Sequence, residues 1–264
     1  MTALIETEEL AAKLDDKNVR LIDGTYPPPT GVYPRIGNAV RFNIDHIADP
    51  HASLPHTVPS EEVFEHHVQN LGINNDDTLI VYDQKGMAFA AARVWWLFRL
   101  FGHKNIFILN GGLPKWLAEG RPVNEIPPAH PAPGNFKAHE NAQLLKQTDD
   151  ILNNISAGTF QTLDVRDRHR YESEGHIPGS QHRFFMDFID PDTGGLKDNA
   201  EISALLKQSD IDPSRPVAVT CGSGVTACLG ALALYEIGIK EASVYDGSWS
   251  EWALNPETPK TMKK

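Results

Sequence analysis

Two short, unbroken apolar runs, Thr78-Leu79-Ile80-Val81-Tyr82-Asp83 and Pro216-Val217-Ala218-Val219-Thr220-Cys221, have the length and β-branched content of strands buried on both faces. Each leads into a short loop, Gln84-Lys85-Gly86 in one case and Gly222-Ser223-Gly224 in the other. Each loop then opens onto an apolar stretch of helical length, Met87 to Phe101 and Val225 to Ile237. Downstream the pattern continues in parallel. Ile106-Phe107-Ile108-Leu109-Asn110-Gly111-Gly112 with Trp116 corresponds to Ala242-Ser243-Val244-Tyr245-Asp246-Gly247-Ser248 with Trp252, and the spacing from Asn110 to Trp116 equals that from Asp246 to Trp252. Upstream, Val19-Arg20-Leu21-Ile22-Asp23 matches Thr162-Leu163-Asp164. A repeat of this length implies two homologous domains and not a solenoid of short units. Strands alternating with helices predict the α/β class, with a mostly parallel sheet flanked by helices in each half.

Between the halves, Arg121 to Phe136 carries Pro122, Pro127, Pro128, Pro131, Pro133 and Gly134, a composition that resists helix and sheet and favours an extended connection. The expected division is therefore 1–122, a Pro-rich linker at 123–136, and 137–264.

Composition narrows what the domains do. With 41% hydrophobic and 22% charged residues among 264, the chain is globular and not disordered. A formal net charge of −11 argues against nucleic acid as a partner, because such binders concentrate positive charge. Arg93 and Arg99 interrupt the most apolar stretch, so no membrane partner is expected. Two cysteines, Cys221 and Cys228, are too few for a disulfide framework or a structural zinc site, and no metal site is expected. The start of the chain has neither a secretory nor an organellar look, which points to the cytoplasm.

Cys221 is where the two halves part company. It ends a strand and precedes a Gly-Ser-Gly loop that enters a helix, so its sulfur is expected among backbone N–H groups at a helix N-terminus. Such surroundings favour the thiolate, the nucleophilic form. The alternative at this stage is a buried thiol that merely ends a core strand. Cys228, two helical turns further on, reads as a core thiol.

Cys221-Gly222-Ser223-Gly224-Val225-Thr226 resembles the active-site loop of the 3-mercaptopyruvate sulfurtransferases of the rhodanese superfamily. Tyr245-Asp246-Gly247-Ser248-Trp249-Ser250-Glu251-Trp252 resembles a C-terminal signature of that superfamily, and Gly175-His176-Ile177-Pro178-Gly179-Ser180, with Asp164-Val165-Arg166 and Arg170-Tyr171 before it, a further motif. The resemblance implies two rhodanese-like domains, the first inactive, with Asp83 standing where the second carries Cys221. It implies that Cys221 takes sulfur from a small-molecule donor as a persulfide and passes it to cyanide, a small thiol or thioredoxin, with no cofactor. Residues 222 to 226 would cradle the anionic sulfur through their amides, with hydroxyls available from Ser223 and Thr226. Arg170 would grip a donor carboxylate, and Arg166 would form a structural ion pair.

Two departures from the family pattern stand out. The stretch Tyr171-Glu172-Ser173-Glu174-Gly175 is short and lacks a second substrate arginine, leaving Arg35 and Arg183 as candidates for that charge. In the first half, Arg35-Ile36-Gly37-Asn38-Ala39 stands where the family carries His-Ile-Pro-Gly-Ala, so no Ser–His–Asp relay is assigned. The neutral loop favours 3-mercaptopyruvate over thiosulfate, the second donor considered; a non-catalytic rhodanese-like scaffold is the third reading. Ala227 removes the arginine that a phosphatase loop would need there.

Overall fold

Strands read from unbroken apolar runs should sit at the centres of sheets covered on both faces, and in the computed structural model they do. It describes residues 2–86, 89–125 and 131–262. The chain divides into two units: Met1–His51, Val58–Asn141 and Asp190–Leu196 form the first, and Ala52–Thr57, Ala142–Ile189 and Lys197–Lys264 the second.

In the first unit β1 (Leu4–Ile5), α1 (Thr7–Ala11), β2 (Val19–Asp23), β3 (Val40–Arg41), α2 (Glu61–Asn70), β4 (Thr78–Tyr82), α3 (Phe89–Leu100), β5 (Ile106–Leu109) and α4 (Gly112–Ala118) follow in turn. The strands pair in the order β1-β5-β4-β2-β3, every pairing parallel. The second unit holds β6 (Leu145–Lys146), α5 (Thr148–Ala157), β7 (Gln161–Asp164), α6 (Arg168–Ser173), β8 (Gln181–His182), α7 (Asn199–Gln208), β9 (Val217–Thr220), α8 (Ala227–Glu236), β10 (Ser243–Tyr245) and α9 (Ser248–Leu254). Its order, β6-β10-β9-β7-β8, is the same order with each strand replaced by its repeat partner, again parallel throughout.

The register repeats as well. Asp23 pairs with Arg41 across β2 and β3, and Asp164 with His182 across β7 and β8. The Nε1 of Trp116 donates to the Pro122 carbonyl at 2.8 Å and that of Trp252 to the Pro259 carbonyl at 2.9 Å, so each buried indole satisfies its one polar group in the same way. The central strands β4 and β9 are almost wholly buried, as strands with helices on both faces must be. Helix α8 is apolar all round and buries Ala227 through Leu234. Its Gly230 permits that close seating, because a Cβ there would come within 2.9 Å of Val219 and 3.0 Å of Val165.

The Pro-rich segment, expected at 123–136 as an extended linker, packs in part on the first unit. Residues 126–130, with Pro127 and Pro128, lie outside the described residues. From Pro131 onward the chain is part of the first unit: Phe136 is buried, with its ring 5.7 Å from that of Phe64 and 5.8 Å from that of Phe98, and the Gly134 N–H donates to the Gln69 carbonyl. Burying one aromatic side chain removes more apolar surface from water than an extended linker could justify leaving exposed. The division between units accordingly falls after Asn141 and not at 136. Among the described residues no helix is long and apolar enough to cross a membrane.

Candidate active site

Helix α8 cannot start at Cys221, because Gly224 adopts a left-handed φ of 77° and holds the chain in a turn before the helix begins at Ala227. Cys221 is the first residue beyond β9 and is 1% exposed. Its carbonyl accepts from the Trp249 N–H at 3.0 Å, and the Gly222 carbonyl accepts from the Ser250 N–H at 2.9 Å and the Ser250 hydroxyl at 2.6 Å. The start of α9 therefore fixes the outer edge of the loop. Among the described residues, the amides of Gly222, Ser223, Val225 and Thr226 have no protein acceptor. Those four residues, Cys221, Arg166, Asp167, Arg170 and Phe185 line a cavity of about 220 Å³ within the second unit. Thr226 sits at the cap position of α8 without a side-chain cap bond.

Ser248 was not among the residues singled out from sequence, and it holds the Cys221 backbone. Its hydroxyl accepts from the Cys221 N–H at 3.1 Å, donates to the Tyr245 carbonyl at 2.7 Å and lies 4.0 Å from Cys221 Sγ. Ser248 is fully buried at φ 49°, a left-handed conformation costly for a residue with a Cβ. The repeat held the signal: the corresponding residue of the first unit is Gly112, at φ 57°. Cys228 is buried in the first turn of α8 and donates its thiol to the Gly224 carbonyl at 3.3 Å, the role of a core thiol bracing the loop.

Arg170 comes to the cavity on α6. Asp167 caps that helix, accepting from the Arg170 N–H at 2.9 Å, and Gly175, at φ 87°, stops it. The guanidinium lies over Gly222, where an added Cβ would be 3.2 Å from Nη1. Glu174 engages it through both carboxylate oxygens, Nε to Oε1 at 2.9 Å and Nη2 to Oε2 at 3.2 Å. That hydrogen bonding holds the Arg170 guanidinium above its ordinary value, reinforced by the charges of Glu174, Asp167 and Cys221 and opposed by partial burial. Reciprocally, Arg170 holds Glu174 below the usual carboxylate range.

Arg166 is an internal strut. Its Nη2 bonds Asp164 at 2.7 Å and the Gly175 carbonyl at 2.8 Å, and its guanidinium lies 4.3 Å from the Trp249 ring centroid. Arg183 is not brought to the cavity. Its Nε donates to Ser209 at 2.9 Å, Nη1 to Asp187 at 3.2 Å and Nη2 to the Leu205 carbonyl at 3.1 Å, so the cation is spent on tying β8 to the helical segments that follow it. Arg35 belongs to the first unit, where its backbone pairs with Asn124 and its guanidinium stacks 4.8 Å over Tyr33. His176 holds the matching place in the second unit, pairing with Thr261, and its ring stacks on Tyr171.

Comparisons with known proteins agree with this geometry. The description "Rhodanese-like domain" matches residues 6–119 and 147–255. The chain is 38% identical to a thiosulfate sulfurtransferase of Mus musculus, over 97% of this chain and 94% of that one. It is 34% identical to "Thiosulfate/3-mercaptopyruvate sulfurtransferase 1, mitochondrial" of Arabidopsis thaliana, over 97% of this chain and 77% of that one. Among solved structures, SseA from Escherichia coli, described as a 3-mercaptopyruvate sulfotransferase, superposes with a TM-score of 0.87 at 32% identity and covers 95% of this chain and all of its own. Two repeats of one parallel sheet, a cysteine loop at the end of the second central strand, and relatives of this identity along almost the whole chain place it in the rhodanese family, as a two-domain sulfurtransferase.

Proposed function

We propose that the chain moves sulfur from 3-mercaptopyruvate to a thiol or to cyanide through a persulfide on Cys221. The observation that carries this reading is the position of Cys221 at the base of a cavity bounded by its own loop amides and the Arg170 guanidinium. In the first half-reaction the thiolate attacks the donor sulfur, the donor carbon–sulfur bond breaks, and its electron pair leaves on carbon as the enolate of pyruvate, which takes a proton to give pyruvate. The Cys221 persulfide remains. Its outer sulfur is anionic, and the amides of the cavity-lining residues Gly222, Ser223, Val225 and Thr226, which have no protein acceptor among the described residues, would stabilise it without reorganising. In the second half-reaction an acceptor thiolate attacks that outer sulfur and regenerates the Cys221 thiolate; with cyanide the product is thiocyanate.

Arg170 is assigned the donor carboxylate, which a guanidinium binds better than an ammonium can. The loop residues Gly222 to Thr226 carry no charge of their own, which suits an organic anion held by hydrogen bonds. Thiosulfate is the second donor, favoured by relatives that bear its name. Small thiols or thioredoxin are the proposed acceptors. The chemistry needs Cys221 as a free thiol, which fits a reducing compartment such as the cytoplasm; both cysteines are free. Sulfide release with each donor and a reducing thiol, beside Cys221→Ser, tests the reading. Turnover with 3-mercaptopyruvate that vanishes in the variant supports it; turnover with thiosulfate alone replaces the donor and keeps the nucleophile.

A further inference from the structure

The cation assigned to the donor is not free to act as a full positive charge. Glu174 occupies two of its three nitrogens, with Nε to Oε1 at 2.9 Å and Nη2 to Oε2 at 3.2 Å, and leaves Nη1 toward Gly222 and the cavity. The same carboxylate reaches the second guanidinium on the cavity wall, with Oε2 3.4 Å from Arg166 Nη1. Arg166 is already matched by Asp164 at 2.7 Å, and Asp167, also on the wall, accepts from the Arg170 backbone. Two guanidiniums therefore face three carboxylates, and without Glu174 the balance around the cavity would shift by one positive charge. A donor with one negative charge and several hydrogen-bonding groups loses little from this arrangement. A dianion that depends on net positive potential loses more, because its interaction with each fixed charge is doubled.

We propose that Glu174 is a positioning residue that sets donor charge preference, holding Arg170 over the cysteine loop while neutralising it, so that a singly charged organic donor is favoured over an inorganic dianion. This rests on the reading that Arg170 binds the donor. Glu174 does not touch the reacting sulfur; it acts through the guanidinium. The mutual pKa shifts of the pair agree with that coupling, since Arg170 is raised and Glu174 lowered chiefly by their own hydrogen bonds.

The test compares 3-mercaptopyruvate and thiosulfate as donors for the full chain, with Glu174→Gln, Glu174→Asp and Arg170→Gln. Glutamine keeps an acceptor for Arg170 and removes the charge. It is expected to raise the ratio of kcat/KM for thiosulfate to that for 3-mercaptopyruvate on the order of fivefold at low ionic strength. The change should appear in KM, and should shrink as salt screens the half-exposed pair. Glu174→Asp restores the charge and should return the ratio toward that of the unaltered protein, which a merely structural role for the side chain would not produce. A ratio unmoved by Glu174→Gln, while Arg170→Gln raises the KM of both donors, overturns the role of Glu174 and leaves Arg170 in place. If Arg170→Gln leaves both KM values unchanged, the donor reading itself fails and the proposal falls with it.

Discussion

The two units place different residues on one scaffold. At the end of β4 the Asp83 carbonyl accepts from the Leu113 N–H at 3.0 Å, and at the end of β9 the Cys221 carbonyl accepts from the Trp249 N–H at 3.0 Å. Asp23 accepts from the Thr25 N–H, and Asp164 from the Arg166 N–H, again both at 3.0 Å. The backbone frame around a strand end is thus common to both. What differs is confined to a few side chains. Asp83 is buried, burial pushes its carboxyl up, and one of its oxygens has no hydrogen-bond partner among the described residues, whereas the same place in the second unit holds a thiol followed by a Gly-Ser-Gly loop. A carboxylate cannot store sulfur as a persulfide. Gly112 adopts the left-handed turn without strain, while Ser248 accepts strain there and supplies a hydroxyl to Cys221. The comparison teaches that the fold provides the strand end and the turn, and that chemistry is set by the residues placed on them.

The largest effect is expected from Cys221→Ser, which should lower turnover with either donor by about three orders of magnitude or more, since in the proposed mechanism Cys221 carries the transferred sulfur. Adding Asp83→Cys to that variant should restore nothing, because Gln84-Lys85-Gly86 is not the Gly-Ser-Gly cradle; measurable turnover in the double variant would show that the frame alone suffices. Arg170→Gln comes next. Losing a charged hydrogen bond to the donor, worth about 1.5–3 kcal/mol, should raise the donor KM roughly tenfold to a hundredfold, read from initial rates.

Ser248→Ala leaves the buried Cys221 amide without its acceptor and should lower stability by about 1–3 kcal/mol, followed by thermal unfolding, with a fall in kcat. Ser248→Gly separates the two contributions of that residue, relieving the backbone while losing the hydroxyl, so it should recover stability relative to the alanine and not activity. The smallest kinetic effect belongs to Arg183→Ala. With all three guanidinium nitrogens held inside the second unit, its removal should leave the donor KM within about twofold and cost stability instead. A strongly raised KM would return Arg183 to the donor site.

Much of this arrangement was legible in the chain. Unbroken apolar runs marked β4 and β9, and the matched spacing of Trp116 and Trp252 announced two copies of one sheet. Cys221 stood out because strand, glycine loop and helix adjoin there in sequence. Features that depend on partners distant in sequence were not legible. Proline content described residues 123–136 as a linker, but where Phe136 goes is decided by the ring cluster of Phe64 and Phe98. Arg183 carried the right charge, and its use depended on Ser209 and the Leu205 carbonyl. The ion pair of Arg170 with Glu174, four residues on, was not read from the chain, and only the approach to Gly222 gives that pair a bearing on the donor. Ser248 lay in a quoted motif, and its left-handed backbone could be anticipated only by setting it against Gly112.

The most direct test of the account is peptide-level mass spectrometry of the protein after brief treatment with 3-mercaptopyruvate and no acceptor. The account predicts a gain of about 32 Da, one sulfur atom, on the peptide containing Cys221 and confined to that residue, with loss of the added mass when cyanide is supplied. Sulfur found on Cys228 instead, or turnover that proceeds while Cys221 never gains mass, would contradict it.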